Sequence, residues 1–345
     1  MNRRRFGRTL LAAALPAVPP FAAAAWRDPL DVPAEDSALA PRGLINGLAR
    51  AGRRIVAVGQ RGHALASDDG GLNWKQGSVP VSSDLVALSF PTAQAGWAVG
   101  HDGVVLHSDD GGSRWTRQLD GRGLGPLMRA AYGSTADEKL RTNALHFADQ
   151  GTENPLLDVW FEDARNGWAV GAFGLALRTA DGGAHWEPML HAVDNPKGLH
   201  LYAVRGIAGR LFIAGEQGLL LEFDRPDGRF RVVELPTKGS LFGLIGNEHF
   251  VLAHGLRGSM VRSAGQGWQP VASGVAVGLT ASTFDDHGRI VVVSQAGHVL
   301  RGNDDASAFS PMKVERPTPT AAVVAAPTDR LVLGGPRGVY ALALT

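Results

Sequence analysis

The chain has 345 residues, of which 44% are apolar, 19% are charged and none is cysteine. The apolar share is sufficient for a packed core and excludes a wholly disordered chain, while the lack of cysteine excludes disulfides, cysteine-based zinc sites and thiol nucleophiles. The formal net charge of only +1 excludes a general electrostatic attraction to nucleic acid.

Residues 1–25 have the layout of a secretory signal peptide. Four arginines lie at the start of the chain, the alanine-rich apolar stretch Thr9–Phe21 follows, and Ala22–Ala25 offers small residues for cleavage. The run Arg3–Phe6 also fits a twin-arginine signal, so both export routes remain open. Cleavage would remove four arginines and lower the formal net charge from +1 to −3. We therefore predict an exported protein, located in the periplasm.

The rest of the sequence is repetitive. Seven copies of a short apolar run followed by a turn end at Gly62, Gly103, Gly174, Gly218, Gly258, Gly297 and Gly338. Six of the seven turns contain a G-x-x-G pair, whose glycines are predicted to supply the positive φ angles of a hairpin. A repeat of about 40 residues with four short apolar runs is typical of a propeller blade. We therefore predict an all-β, seven-bladed β-propeller over residues 26–345, with strands a to d in each blade from the axis outward.

The two ends of the chain are predicted to close the ring. The seventh unit provides strands a to c, the last of them over Val339–Leu344, and the chain then ends without strand d. The stretch Trp26–Leu30 resembles the strand-d sequence Trp115–Leu119, so we expect it to supply the missing outer strand and to cover an open sheet edge. The alternative is that Trp26–Leu30 is a loose tail and that the match is accidental.

One long step in the repeat places an insertion at residues 120–155, between blades two and three. Thr135 and Glu138 have the spacing of a capping box, and Leu140, Ala144 and Phe147 follow at near-helical intervals. We predict a small helical lid beside the axial opening. Gating of that face, docking of a partner and simple packing of the apolar stripe remain open as its role.

Three blades carry the pattern S/T-x-D-x-G-x-x-W, an Asp box, at the c–d hairpin. The hydroxyl and the carboxylate can accept backbone N–H groups across the turn, the glycine relieves the turn sterically, and the tryptophan can fill the gap between blades. We interpret these residues as structural and not as catalytic. They are Ser67, Asp69, Gly71 and Trp74 in blade one, Ser108, Asp110, Gly112 and Trp115 in blade two, and Thr179, Asp181, Gly183 and Trp186 in blade three.

These boxes resemble the Asp-box (BNR) repeats of sialidase-type propellers. The longer strings Gly96–Trp115 and Leu157–Trp186 are more similar to the photosystem II stability and assembly factor family. That resemblance implies an export-targeted, non-enzymatic propeller that binds parts of a membrane protein complex during its assembly. It also implies the thylakoid lumen in place of the periplasm if the host is a phototroph. We accordingly expect a protein partner, no catalytic residues, no metal, no cofactor, no nucleic acid, no membrane-spanning segment and a monomeric chain.

A glycan-binding or glycan-hydrolysing propeller of the sialidase type is the alternative, and a purely structural scaffold is a third possibility. A sialidase needs a Tyr paired with a Glu as nucleophile, an Asp as acid and three Arg that clamp a carboxylate. Tyr202, on a predicted inner strand, and Glu216, on the next hairpin, are the conceivable pair. The alternative interpretation is that Tyr202 is a half-buried strand residue with a structural role only.

The b–c hairpins and the d–a connections share the face opposite the Asp boxes, which is the predicted partner-binding face. The b–c tips of blades one, five and seven carry Arg61, Arg257 and Arg337, which suggests a basic sector for a carboxylate or an acidic peptide segment. His101 and Asp102, at the tip of blade two, complete the hypothesised site. Because the chain contains 29 Arg against 5 Lys, solvated tip arginines without a ligand are the alternative.

Overall fold

The computed structural model describes residues 27–327 and 329–344, which form seven antiparallel sheets. The predicted signal peptide, residues 1–25, lies outside the described residues. The innermost strands of successive sheets contact one another in order, and the first also contacts the last, so the sheets form a closed ring. The predicted all-β, seven-bladed propeller is therefore confirmed.

In blades one to six, four strands follow one another in chain order from the axis outward, and blade seven has three strands within the described residues. Blades one and two comprise β1 (Ile45–Ala51), β2 (Arg54–Gly59), β3 (Ala64–Ser67), β4 (Lys75–Gln76), β5 (Leu85–Ser89), β6 (Gly96–Gly100), β7 (Val105–Ser108) and β8 (Thr116–Leu119). Blades three and four comprise β9 (Leu156–Phe161), β10 (Gly167–Gly171), β11 (Ala176–Thr179), β12 (Glu187–Pro188), β13 (Leu201–Ile207), β14 (Arg210–Gly215), β15 (Leu220–Asp224) and β16 (Arg229–Val232). Blades five to seven comprise β17 (Leu241–Gly246), β18 (Val251–Gly255), β19 (Met260–Ser263), β20 (Trp268–Pro270), β21 (Leu279–Phe284), β22 (Ile290–Ser294), β23 (Val299–Gly302), β24 (Phe309–Pro311), β25 (Ala322–Ala326), β26 (Arg330–Gly335) and β27 (Gly338–Ala343).

The second strand is fully buried in four of the seven blades. Strands β6, β10, β18 and β22 are buried at every position, because the neighbouring blades cover both faces of the sheet. Their sequences accordingly form continuous, largely apolar runs such as Gly-Trp-Ala-Val-Gly and do not alternate between polar and apolar residues.

The two glycines of a G-x-x-G turn have different roles. The second, such as Gly62 with φ +72°, has the expected positive φ. The first, such as Gly59, has an extended backbone with φ −167°. A Cβ on Gly59 would lie 1.9 Å from the carbonyl oxygen of Leu44, so this glycine permits the close approach of the chain that leads into strand a. The prediction of positive φ is thus wrong for the first glycine of the pair.

The Asp boxes lie at the c–d hairpins of blades one to three. In blade one, Asp69 Oδ1 accepts the N–H groups of Leu72 (3.1 Å) and Asn73 (2.9 Å), and Ser67 Oγ accepts that of Gly71 (2.9 Å). The hydroxyl-to-glycine bond has the same length in blades two and three. Hydrogen bonds from the backbone and side chain of Asn73 lower the pKa of Asp69 to about 2. The carboxylate is therefore occupied within its own turn.

The box tryptophans pack at the junctions between blades. Trp115 is buried in a cluster with Val56 of blade one and Leu85 and Ala98 of blade two. Trp74 of blade one packs against apolar side chains of blade seven. Each of these two rings thus contacts the blade that precedes its own around the ring.

The amino-terminal segment does not close the ring in the predicted way. Residues 27–30 pair with no strand of blade seven, and Trp26 lies outside the described residues. Pro29–Asp31 forms a 3₁₀ turn instead, because Asp28 accepts the N–H of Leu30 (3.0 Å) and proline suits the first position of a helix. The prediction that Trp26–Leu30 supplies an outer strand is therefore wrong for the described residues.

This segment lies between blades one and two. Leu30 is buried in the cluster that contains Val79, Val81 and Trp115, and its carbonyl accepts a hydrogen bond from Arg117 Nη1 at 2.7 Å. The N–H of Ser82 donates to the carbonyl of Pro29 at 2.9 Å. The amino-terminal residues thus join two neighbouring blades.

Apolar packing closes the ring between blades seven and one. Ile55 of blade one lies in one cluster with Val324 and Val332 of blade seven. A short 3₁₀ turn, Ala40–Arg42, lies beside β27, where a Cβ on Gly338 would be 2.1 Å from the carbonyl oxygen of Pro41. The chain leading into β1 therefore covers part of the last blade.

Replacing Leu30 by alanine should lower the free energy of unfolding by about 2–3 kcal/mol, since it removes a fully buried side chain between two blades. The matched control is Leu39→Ala, because Leu39 is 65% exposed in the same segment and Leu30 only 1%. Denaturant unfolding of both variants measures the difference. Equal stabilities would contradict the placement of Leu30 between blades one and two.

The insertion forms two helices, α1 (Gly121–Tyr132) and α2 (Glu138–Gln150), between β8 and β9. The first helix is capped by Asp120, whose carboxylate accepts the N–H of Arg122 at 2.9 Å. The second is capped by Asp137, which accepts the N–H of Leu140 at 3.0 Å. The predicted capping box of Thr135 and Glu138 is wrong, because Asp137 stands closer to the first helical residue and occupies the cap.

Both helices bury an apolar stripe beside blades two and three. Met128 of α1 and Ala144 and Phe147 of α2 belong to one cluster with Trp97 and Leu177 of the sheets. The prediction of a small helical insertion between blades two and three is therefore confirmed. None of the described residues of α1 or α2 lines the axial channel, so a lid beside the axial opening stays a prediction.

Candidate functional site

An axial channel runs through the ring formed by the innermost strands. It encloses about 240 Å³, and all seven inner strands or the residues next to them contribute to its wall. The wall contains one arginine, Arg205, and one carboxylate, Asp158. Most of the other lining residues are small or apolar, so these two side chains dominate the charge of the channel.

Six of the seven inner strands carry a β-bulge at their second residue. The registers of β1, β5, β9, β13, β17 and β21 all shift there. Bulges redirect side chains at the rims of closed sheets. The bulged residues all line the channel, at the end of the strand that faces the b–c hairpins: they are Asn46, Val86, Leu157, Tyr202, Phe242 and Thr280. Sequence analysis did not identify this set, although the repeats place each member at the same position.

The Asp158 carboxylate joins blades three and four in the channel wall. Its Oδ2 accepts the N–H of Val204 at 2.8 Å and also binds the guanidinium of Arg205. The side chain of Asp158 is 5% exposed and that of Arg205 is 37% exposed, so the pair is buried at one end and open to the channel at the other. Burial raises the pKa of Asp158, and the neighbouring Arg205 opposes that rise.

His254 lies behind the channel wall between blades five and six. Its Nε2 is 2.9 Å from Ser282 Oγ, and its Nδ1 is 3.4 Å from the carbonyl oxygen of Leu279. Gly243 makes room for the ring, since a Cβ there would lie 2.4 Å from the imidazole. Burial lowers the pKa of His254 to about 4, so the imidazole is neutral at physiological pH.

The structure brings Tyr202 and Glu216 together at the channel mouth. Burial raises the pKa of Tyr202, and the Glu216 carboxylate adds to this rise through its charge and a hydrogen bond. Glu216 Oε2 also accepts the N–H of His200 at 2.9 Å. A sialidase would need three free arginines around such a pair. Arg205 is the one arginine among the described residues of the channel wall, and its guanidinium is bound to Asp158.

The predicted arginines occupy equivalent positions on one face. Arg61, Arg257 and Arg337 lie at the b–c tips of blades one, five and seven, and all three are exposed. Many other arginines of the chain pair with carboxylates, as Arg54 does with Asp68. No ion pair among residues 27–327 and 329–344 involves the three tip arginines.

A fourth guanidinium stands next to this sector. Arg42 is exposed, and its Cα would lie 2.6 Å from a Cβ built on Gly338, the residue that follows Arg337. Sequence analysis missed Arg42 because it lies in the connection before β1, outside the repeat. The repeat period therefore locates the tip arginines but not the one added by ring closure.

His101 and Asp102, the two remaining residues of the predicted binding site, differ in their exposure and in their contacts. His101 is exposed at the tip of blade two. Asp102 is partly buried, and its Oδ2 accepts a short hydrogen bond from Ser83 Oγ at 2.6 Å. The carboxylate is thus engaged within the protein, whereas the imidazole of His101 faces solvent.

A row of aromatic side chains leads from the tip of blade three to the channel mouth. The ring centroids are 4.7 Å apart for Phe173 and His200, 6.1 Å for His200 and Tyr202, and 5.4 Å for Tyr202 and Phe242. Phe173 is 50% exposed. This aromatic row, which sequence analysis did not predict, lies on the same face as the tip arginines.

Within residues 27–327 and 329–344, no helix is both long enough and apolar enough to cross a membrane. The same residues contain no group of three or more His, Cys, Asp or Glu side chains that could hold a metal ion.

The fold places the chain in the class of seven-bladed β-propellers, closed rings that commonly carry their interaction residues on loops. The sequence then identifies the family. A model of the family "Photosynthesis system II assembly factor YCF48" matches residues 52–144 and 137–302, so the chain belongs to this family. The resemblance to photosystem II assembly factors is thereby confirmed.

Solved structures show the same fold. "YCF48 bound to D1 peptide" is 15% identical, covers 88% of this chain and 94% of its own, and has a TM-score of 0.63. "YCF48 from Cyanidioschyzon merolae" is also 15% identical, with 88% and 96% coverage and a TM-score of 0.63. The WD40 propeller domain of Doa1 is 7% identical, with 90% and 94% coverage and a TM-score of 0.62. No curated protein sequence matches the chain at a significant level.

Proposed function

We propose that the protein is an exported, non-enzymatic assembly or stability factor that binds a subunit of an envelope membrane complex. Its family and the relative that binds a D1 peptide support a protein partner. The arginine-rich start of the sequence supports export to the periplasm, or to the thylakoid lumen in a phototroph. The chain acts as a monomer, needs no cofactor or metal, and presents its b–c face to the partner.

The unpaired state of Arg61, Arg257 and Arg337 is the observation on which this proposal depends. Guanidinium groups form charge-assisted, bidentate hydrogen bonds with carboxylates, and an exposed tip residue is free to make them. Blades seven and one are adjacent, so Arg337 and Arg61, with Arg42 beside them, form the centre of the basic sector. An acidic segment of the partner fits this charge.

Replacing Arg61, Arg257 and Arg337 together by alanine should reduce partner capture from crosslinked native membranes by about tenfold, because exposed arginines commonly act as binding hot spots. The matched control replaces Arg53, Arg114 and Arg165, which are exposed on the opposite face. Quantitative mass spectrometry of the captured proteins measures the effect. Undiminished capture by the first triple variant would refute the basic sector as the binding site.

Export is tested separately by fractionating cells and sequencing the amino terminus of the purified protein. The proposal expects a mature chain that begins at Trp26, in the periplasmic or lumenal fraction. An uncleaved chain in the cytoplasm would contradict it.

A further inference from the structure

A pocket of about 300 Å³ lies between α2, the b–c hairpin of blade three and the connection from blade three to blade four. Its floor is apolar and includes Phe147, Leu190 and Val193. Phe147 is buried, so the floor is part of the fixed core. The pocket is large enough for one bulky side chain and not for a folded domain.

Phe173 forms one wall of the pocket and is unusual in its exposure. Its φ of +56° is close to that of the equivalent tips of blades one, two, four and five, so the left-handed backbone is a property of the repeat. Those tips carry the polar residues Arg61, Asp102, Gln217 and Arg257, whereas the ring of Phe173 is apolar and 50% exposed. Exposure of an apolar ring is unfavourable in the isolated chain, and a bound apolar group would cover it.

The rim of the pocket is positively charged. Lys139 and Lys197 both line it, and no Asp or Glu is among the lining residues. Lysine is scarce in this chain, with 5 residues against 29 arginines, so two lysines at one pocket stand out. Lys139 Nζ donates to the carbonyl of Pro196 at 3.2 Å, which ties α2 to the neighbouring connection and fixes the ammonium at the rim.

The pocket is continuous with the predicted binding face. The N–H of Phe173 donates to His200 Nδ1 at 2.9 Å, and the rings of these two residues are in contact. From His200 the aromatic row continues through Tyr202 to the channel mouth. An extended segment that lies along this row would therefore reach the pocket at one of its ends.

We propose that this pocket is an anchoring site for the protein partner, and that it takes a bulky apolar side chain flanked by carboxylates. The apolar side chain packs on Phe173, Phe147 and Val193, and the flanking carboxylates pair with Lys139 and Lys197. The insertion thereby docks the partner, and α2 forms one side of the site. This inference rests on the proposed function, because it assumes that the ligand is a protein segment.

The test uses a displayed library of random 12-residue peptides, selected on the mature protein and then measured against variants. The central variant is Phe173→Asn, because asparagine adopts the left-handed conformation readily and should fold at least as stably as the wild type. Its matched control is Gln217→Asn at the equivalent tip of blade four, where φ is +54°. A second variant, Lys139→Glu with Lys197→Glu, reverses the rim charge, and Lys75→Glu with Lys313→Glu is its control.

We expect the selected peptides to share a large apolar residue next to Asp or Glu. Phe173→Asn should weaken their binding roughly thirtyfold, in the range of a hot-spot residue, with unchanged or higher resistance to denaturant. The reversed rim should weaken it by about tenfold at low salt and by less at high salt. Both controls should bind as the wild type does.

Selected peptides without the apolar and acidic pattern, or peptides that bind Phe173→Asn as tightly as the wild type, would overturn the inference. The tip-arginine experiment separates this failure from that of the proposed function. If capture from membranes depends on the tip arginines but not on Phe173, only the anchoring pocket is wrong. If the wild type captures no membrane protein at all, the proposed function is wrong.

Discussion

Asp158→Ala is expected to lower the free energy of unfolding by about 3 kcal/mol, since removing one member of a buried ion pair leaves its partners unsatisfied. The carboxylate accepts hydrogen bonds from the N–H of Val204 and from Arg205 across the junction of blades three and four. The N–H of Val204 is buried where it donates to this carboxylate. Arg205 is 37% exposed and can turn toward water in the channel. The loss of stability is therefore expected at the lower end of the range for broken buried ion pairs.

Two variants calibrate this result in the same denaturant titration. Asp158→Asn retains an acceptor for the N–H of Val204, so it should cost about half as much as the alanine variant. Glu222→Ala removes the acid of an exposed pair with Arg210 and should cost less than about 1 kcal/mol. If Asp158→Ala is as stable as Glu222→Ala, the carboxylate does not hold blades three and four together.

The stability of the protein should fall by about 3 kcal/mol through His254 alone between about pH 7 and pH 4, because a lowered pKa keeps the folded state from binding a proton that the unfolded state binds. The folded pKa is about 4, and the unfolded value is about 6.5. Above the pKa of the unfolded state the imidazole is neutral in both states, so it does not lower the free energy of unfolding. Below it, protons favour the unfolded chain until the folded imidazole titrates as well.

The difference between the wild type and His254→Gln isolates this contribution from that of other titrating groups. Glutamine can still bond to Ser282 Oγ, and its side chain has no charge to gain. We expect the stability gap between the two proteins to narrow with falling pH. His249→Gln, which replaces an exposed histidine in the same blade, is the matched control. A gap that stays constant from about pH 7 to about pH 4 would show that His254 is not buried as described.

The repeat made the ring and its hairpin tips predictable. A local pattern recurs in every blade, so Arg61, Arg257 and Arg337 could be assigned to tips without knowledge of the fold. Structural features that occur only once in the chain were not predicted correctly. The amino-terminal segment was misplaced because Trp26–Leu30 was matched to the strand-d sequence Trp115–Leu119, although Asp28-Pro29 specifies a turn. Asp137 was overlooked as a cap because a neighbouring pair also fitted a capping box.

The interblade contacts were beyond sequence reasoning for a different reason. Asp158 and Arg205 are 47 residues apart, and only the docking of blades three and four makes them partners. The six bulged residues that line the channel depend on β-bulges in strands whose sequences resemble ordinary apolar runs. Phe173 was treated as one tip among seven, since the exposure of its ring is not visible in the sequence. Only the pairing of elements distant along the chain reveals these features.

Site-specific photo-crosslinking in native membranes tests most directly whether the b–c face binds the partner. A photo-crosslinking amino acid at Ala296, an exposed b–c tip of blade six, leaves every proposed binding residue intact, and the same group at Leu72 reports on the Asp-box face. We predict a covalent adduct with a membrane-complex subunit from position 296 and none from position 72. An adduct from position 72 alone would contradict the account.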